Sequence, residues 1–280
     1  MTLIAILIAT LVAGIGSVWI AALLMRLGLN QRTGVGPQHL LSLAAGALLA
    51  TAFLHLLPEA FESHIEPHTL FAFLLGGLVF FFLLDKAELW HHGHEHHHHV
   101  EHEGHDHSHA HDHGHLHGDH GGHAHKSTAG SWAVLTGDSV HCFGDGVLIA
   151  SAFLADWHLG LAAAVAVLAH EVPHHMGDLA VLRQGTDSRR AALVKVSLAG
   201  AVTAIGGLVG YFLVSHLEAW LPLFLVVASS SFIYVALADL VPQLQTRLGA
   251  RQMAAQIAWL AVGIALVLLV SSMSHHTHAH

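Results

Sequence analysis

The sequence predicts an all-α integral membrane protein: eight transmembrane helices in an inverted-repeat-like bundle, with helices four and five at its centre. Three observations carry that prediction. Of the 280 residues, 54% are hydrophobic and only 10% charged, where a soluble domain carries roughly 25%. Eight segments approach the about 20 mostly apolar residues that a spanning helix needs. All ten Lys and Arg residues fall on alternate connections or their immediate flanks.

In chain order the segments are Thr2–Met25, His39–Leu57, Leu70–Trp90, Ser131–Ala155, Leu159–Leu182, Leu193–His216, Leu221–Val241 and Ala254–Met273. Arg26 and Arg32 follow the first, and Lys86 and Lys126 flank the connection after the third. Arg183, Arg189, Arg190 and Lys195 surround the connection after the fifth, and Arg247 and Arg251 follow the seventh. Lys and Arg mark the cytoplasmic side, so both termini are expected outside. Trp90, Trp132, Trp157 and Trp220, near helix ends, read as interfacial anchors.

The chain divides into helices one to three (1–90), a histidine-rich cytoplasmic loop (91–130), helices four to eight (131–274) and a histidine-containing outer tail (275–280). Of the 35 residues from His91 to His125, 18 are histidine. The loop has no apolar periodicity and reads as disordered. Imidazole suits Zn, Ni, Cu and Fe ions, so the loop could hold several weakly.

Composition also excludes functions. With a net charge of −9 and only ten basic residues, nucleic acid is no partner. One cysteine excludes an internal disulfide framework, and the chain contains no GxxxxGK[ST] phosphate loop for an ATP motor of its own. The first apolar run is followed by Arg26 rather than a small-residue cleavage site, so it reads as a span and not a cleaved leader. The short length and the absent signal sequence then point to a bacterial inner membrane, with an organellar membrane as the alternative.

Helices two and seven share a pattern. One ends Ala52-Phe-Leu-His55-Leu-Leu-Pro58-Glu59 and the other Ala236-Leu-Ala-Asp239-Leu-Val-Pro242-Gln243. Each has a polar residue three before a proline, on opposite sides of the membrane, as an inverted repeat flanking a central helix pair would produce. His55, Glu59 and Asp239 become candidates for the mouths of a pathway.

Helices four and five carry the chemistry. His141-Cys-Phe-Gly-Asp145-Gly and His170-Glu-Val-Pro-His174-His-Met-Gly-Asp178 interrupt otherwise apolar runs. Ionisable residues inside a membrane helix are costly and face the bundle interior, which makes them a functional-site hypothesis by default. His141 with Asp145, and His170 with His174, stand at i and i+4 on one helix face. Both pairs fall near mid-span in antiparallel helices, so together they offer four N/O ligands at the depth where secondary transporters hold substrate. Pro173 and Gly144 lie within the pairs, the proline predicting a kink. Cys142 is a soft ligand as a thiolate and a small core residue as a thiol; the sequence leaves both open. Asp138 and Asp178 are auxiliary candidates, as is His175, which faces away from His174.

With these residues in view the chain resembles the ZIP family of divalent-metal transporters. Helix four of that family reads HNxxDG or HNxPEG, and helix five of its His-rich branch reads HExPHExGD. The ends of helices two and seven match that branch as well. The resemblance implies a metal site from His141, Asp145, His170 and His174, and a neighbouring site using Cys142 and Glu171 and sharing His174. It implies influx of Zn2+, with Fe2+, Mn2+ and Cd2+ as further candidate cargo, and an elevator-like motion of helices one, four, five and six against the rest. No resident cofactor is expected. The partners are the ions and the lipid bilayer, with a homodimer left open. Two positions depart from the pattern: cysteine stands at 142 for the usual asparagine, and histidine at 175 for the usual glutamate.

An intramembrane zinc metalloprotease is the alternative, because His170-Glu-Val-Pro-His174 reads as HExxH with Glu171 as base. Against it, His141 and Asp145 would overfill a site that needs an open position. A metal sensor or store would explain the histidine tract but not the midplane constellation.

Overall fold

The computed structural model describes residues 1–28, 35–93, 128–185, 188–244 and 249–272. Most of the expected histidine-rich loop and the histidine tail lie outside the described residues, as do Arg32, Lys126 and Arg247. Among the described residues the chain forms eight long helices and no strand. They are α1 (Thr2–Arg26), α2 (35–61), α3 (Pro67–Gly93), α4 (Thr128–Ala155), α5 (Trp157–Gly185), α6 (Arg189–His216), α7 (221–244) and α8 (Ala250–Ser272). Six contain a stretch long and apolar enough to cross a membrane. The other two, α4 and α5, are 28 and 29 residues long, about 42 Å at 1.5 Å per residue. They are the two that carry the ionisable motifs.

Short connections make successive helices run back and forth. Met1, the turns at 62–66 and 156, and Ser272 lie at one end, called here the terminal side. Arg26, Lys86, Arg183, Arg189, Arg190, Lys195 and Arg251 lie at or towards the other, the basic side. Turn chemistry matches these reversals. Asp156 accepts backbone N–H bonds from His158 (2.8 Å) and Leu159 (3.3 Å), capping α5. Ser188 accepts from the Ala191 N–H and caps α6. Burial pushes the Asp156 carboxyl up, but the two backbone bonds and His158 outweigh it and hold its pKa below the usual carboxylate value.

α5 is central, packed against α1, α2, α4, α6 and α8. Glycines allow the closest approaches. A Cβ on Gly146 of α4 would sit 2.0 Å from the Thr203 carbonyl oxygen of α6, and one on Gly206 would sit 2.1 Å from that of Phe143. Gly46 and Gly263 weld α2 to α8 in the same way. Apolar lipid offers no hydrophobic drive for helices to associate, so such backbone contact supplies the packing instead. α3 and α8 turn large side chains outward, among them Phe71, Phe80, Leu83, Ile257 and Leu269, the surface expected against lipid.

The matched ends of α2 and α7 have a structural counterpart. Residues Ala52–Leu56 and Val235–Leu240 are π-helical turns, each just before its proline. The Leu57 N–H bonds the Ala52 carbonyl, and the Val241 N–H bonds the Ala236 carbonyl, each five residues back. A proline supplies no N–H to the preceding turn, and the widened turn re-pairs the backbone. α1 holds a third π turn, Val12–Gly16. Pro173, by contrast, stands inside α5 without interrupting its α-helical run.

Candidate metal centre

α4 and α5 bring their middles together. His141 and Cys142 are the central residues of α4, and Glu171 is the central residue of α5. Asp138, His141, Cys142 and Asp145 recur at three- and four-residue spacings, which places them on one face of α4. His170, Glu171, His174, His175 and Asp178 do the same on α5.

The facing side chains form three overlapping groups, within each of which the potential ligand atoms lie within 4.8 Å of one another. The first is His141, Asp145, His170 and Glu171. The second is Asp138, Cys142, Glu171 and His175, and the third Asp138, His174 and Asp178. Glu171 belongs to the first two and Asp138 to the last two, so the groups make one continuous column.

In the first group His141 Nε2 lies 3.4 Å from His170 Nε2 and 3.8 Å from Asp145 Oδ2. His170 Nε2 is 3.1 Å from Asp145 Oδ2, and Glu171 Oε1 is 3.7 and 3.8 Å from the two imidazoles. Tetrahedral ligands at the about 2.0–2.1 Å bond lengths of zinc stand about 3.3 Å apart. The group is therefore close to the size of one ion.

The hydrogen bonds around it fix which nitrogen faces the centre. His170 Nδ1 lies 3.2 Å from the Ala166 carbonyl and must donate to it. In the neutral ring Nε2 then presents a lone pair beside Asp145 Oδ2, the form that binds a cation; in the protonated ring it donates to that oxygen instead. Asp138 Oδ2 is buried without a hydrogen-bond partner. The buried oxygens Asp145 Oδ2, Glu171 Oε2 and Asp178 Oδ2 have an imidazole nitrogen 3.1–3.4 Å away as their nearest polar neighbour, a costly state for acceptors out of water unless those rings are protonated or an ion is bound. The donor set fits a divalent cation bound by mixed imidazole and carboxylate.

The column is more deeply buried at one end than at the other. Side-chain exposure is 2–3% at His170 and Asp145, against 27% at His141 and 36% at His174. Beyond Asp145, towards the terminal side, Leu148, Ile149, Ala152, Ala163, Ala166 and Val167 are buried.

Some sequence expectations are redrawn. Glu171 joins the group around His141, Asp145 and His170, and the His174 ring stacks on that of His141 with centroids 5.3 Å apart. His174 lies a turn further on, about 6 Å along the helix axis, with Asp178 Oδ2 at 3.4 Å and Asp138 Oδ1 at 3.6 Å from its Nδ1. The neighbouring group built on Cys142 and Glu171 takes Asp138 and His175 in place of His174. His175 does not turn wholly away from His174, since each ring has a nitrogen 3.6 Å from Asp138 Oδ1, but its Nε2 belongs to the second group. The two HExxH histidines fall in different groups, and both rings lie against His141. His55 stands in the α2 π turn and Glu59 beyond it near the terminal side; neither joins the three groups. Asp239 stands in the α7 π turn, with its side chain outside the described residues. Ser17 of α1, which touches His175 (2.9 Å), carried no signal in the sequence because it sits alone in an apolar helix.

Comparison with known proteins agrees with this chemistry. The family model described as ZIP zinc transporter matches residues 1–271. Human zinc transporter ZIP4 is 30% identical over 250 residues, covering 73% of this chain and 38% of its own length. Zinc transporter ZIP13 of Pongo abelii is 27% identical over 291 residues, covering 95% of this chain and 77% of that protein. Human zinc transporter ZIP10 is 34% identical over 117 residues, covering 41% and 14% respectively. The chain thus spans well under half the length of the ZIP4 and ZIP10 proteins it matches. With the family model matched over nearly its whole length, the chain belongs to the ZIP zinc transporter family.

Proposed function

We propose that this chain carries zinc, as a divalent cation, into the cytoplasm through the column between α4 and α5. One observation carries the reading: two imidazoles and two carboxylates converge to ion size at the centre of two membrane-length helices. Mixed N/O ligation suits cargo, because it binds without the permanence of a closed thiolate cage. The basic residues gathered at one end support a cytoplasmic basic side and outward termini. An inside-negative potential then favours entry of a divalent ion by about 4.6 kcal/mol per 100 mV, so no ATP is needed. The glycine contacts that hold α4 to α6, and separately α2 to α8, support two bodies that shift against one another.

The test is flux of radiolabelled zinc into proteoliposomes under an imposed potential, for wild type and for His170→Ala of verified fold. Entry by the wild type that falls to background in the variant is expected, with Fe2+, Mn2+ and Cd2+ competition ranking the cargo. Wild-type protein that moves no zinc under a potential of either sign would overturn the proposal.

A further inference from the structure

On the outside of the bundle, near its basic end, a groove of about 340 Å³ lies between α1 and α6. Trp19, Ile20, Ala22 and Leu23 of α1 line it with Leu193 of α6, and Arg26 joins them. Trp19, Ile20 and Leu23 are exposed, so the groove faces the surrounding lipid.

Helix direction gathers charge at one end of this groove. Trp19, Leu23 and Arg26 stand at i, i+4 and i+7 on one face of α1, which puts Arg26 roughly 10 Å along the axis from Trp19. On α6, Arg189 stands one turn before Leu193, and that helix starts from the side where α1 ends. The end of α5 brings a third arginine. Arg183 lies near enough to Arg189 and Arg26 for both charges to act on it. Its Nε is buried and has no hydrogen-bond partner among the described residues. Guanidinium groups gathered in this way repel one another and leave donors to satisfy, and an anion at this end of the groove meets both needs.

Charge and shape together select the occupant. A lipid of no net charge would fill the groove and leave the arginines uncompensated. A free phosphate ion would pair with the arginines and leave the apolar wall bare. An anionic phospholipid does both, because guanidinium forks fit phosphate oxygens and basic pockets between membrane helices hold anionic headgroups. We propose that the groove binds an anionic phospholipid, with one acyl chain along Trp19, Ile20 and Leu23 and the headgroup phosphate on Arg26, Arg183 and Arg189. The site is separate from the cation column, and its test reads lipid rather than zinc.

Full-length protein is reconstituted in phosphatidylcholine vesicles containing a small, varied fraction of phosphatidylglycerol brominated on its acyl chains. Bromine quenches a tryptophan that it touches, and the difference between wild type and Trp19→Phe isolates the Trp19 signal. Full quenching of Trp19 is expected at a fraction where brominated phosphatidylcholine has little effect. Arg26→Gln, Arg183→Gln and Arg189→Gln should each raise the half-quenching fraction about fivefold. Lys86→Gln, which removes a charge from α3 on the same side, should leave it unchanged. Unlabelled phosphatidylglycerol should restore the fluorescence, and excess inorganic phosphate should not. Equal quenching by the two brominated lipids overturns the site, as does a preference that survives all three arginine substitutions or falls equally in Lys86→Gln. Phosphate that displaces the lipid as well as unlabelled phosphatidylglycerol does would overturn it in favour of a free-anion site.

Discussion

The halves of the bundle on either side of the metal centre are built differently. Towards the terminal side lies most of a cluster of thirty buried apolar side chains, drawn from all of the helices except α6. Alanines of α2, α4 and α5 make up much of it, and they let helix backbones close tightly. Towards the basic side the buried cluster has eleven members, from Val18 to Ala199, and every one belongs to α1, α4, α5 or α6. The larger cluster therefore ties together helices on both sides of the proposed moving boundary, while the smaller one is internal to the group that the family resemblance sets in motion. The exposure of His174 and His141, against the burial of Asp145 and His170, follows from that difference. In this conformation the larger apolar cluster packs the terminal side, and His141 and His174 are the partly exposed members of the centre.

The largest predicted effect breaks the body that both halves share. In Gly146→Val the added carbons meet the Thr203 backbone of α6, which has no flexible end to yield. Overpacking of this kind costs about 3 kcal/mol or more, so size-exclusion profiles and thermal unfolding should show little folded protein. Gly144, two residues away, has no atom within 4 Å of where its Cβ would stand. Gly144→Ala should fold and melt like wild type. Equal damage from both would sink the claim that α4 and α6 are joined at specific backbone contacts.

The contrast in accessibility is sharper still as a labelling experiment. In a Cys142→Ala background, His174→Cys should react readily with a membrane-impermeant thiol reagent supplied from the basic side. Ala166→Cys, beyond the His170 level, should stay protected from that side. Labelling of both residues at similar rates would mean that the larger cluster does not seal the column.

The next effect is on selectivity rather than access. Restoring the family residues together, Cys142→Asn with His175→Glu, replaces sulfur and imidazole by oxygen donors. Hard cations prefer such donors, so competition assays should show Mn2+ displacing zinc more effectively than in wild type. Unchanged competition would place discrimination in the first group instead.

What the sequence made legible follows helical arithmetic. The i/i+4 spacing puts ligands on one face, and the proline-linked ends of helices two and seven both turn out to be π turns. What it hid depends on the other partner of a contact. His175 looks auxiliary from its own helix, and joins a ligand group only because Cys142 and Asp138 of α4 stand opposite. Ser17 has no polar neighbour in sequence and gains its contact with His175 through packing of α1 on α5. Gly146 and Gly206 each read as weak helix formers; only their contact shows why a side chain is excluded. The same polar motifs that mark α4 and α5 also make them the least apolar of the eight spans, and they are the two without a stretch long and apolar enough to cross a membrane.

The smallest predicted effect lies at the terminal side, where Asp156 caps α5. Removing an N-cap typically costs about 1 kcal/mol, and the side chain here is 46% exposed, so Asp156→Ala should cost that much or less. Its ion pair with His158 at 3.1 Å adds little, being exposed. The pH dependence has a definite sign. Because the folded pKa lies below the unfolded one, the charge contributes fully above the unfolded value of about 3.9 and is lost as pH falls through the folded value. Thermal unfolding of wild type and Asp156→Ala should therefore differ most near neutrality and converge at strongly acidic pH. Asp156→Asn keeps a capping oxygen without the charge, so it should fall between them near neutrality and show no such convergence of its own. A gap that widens on acidification would mean that the carboxylate is not what holds the start of α5.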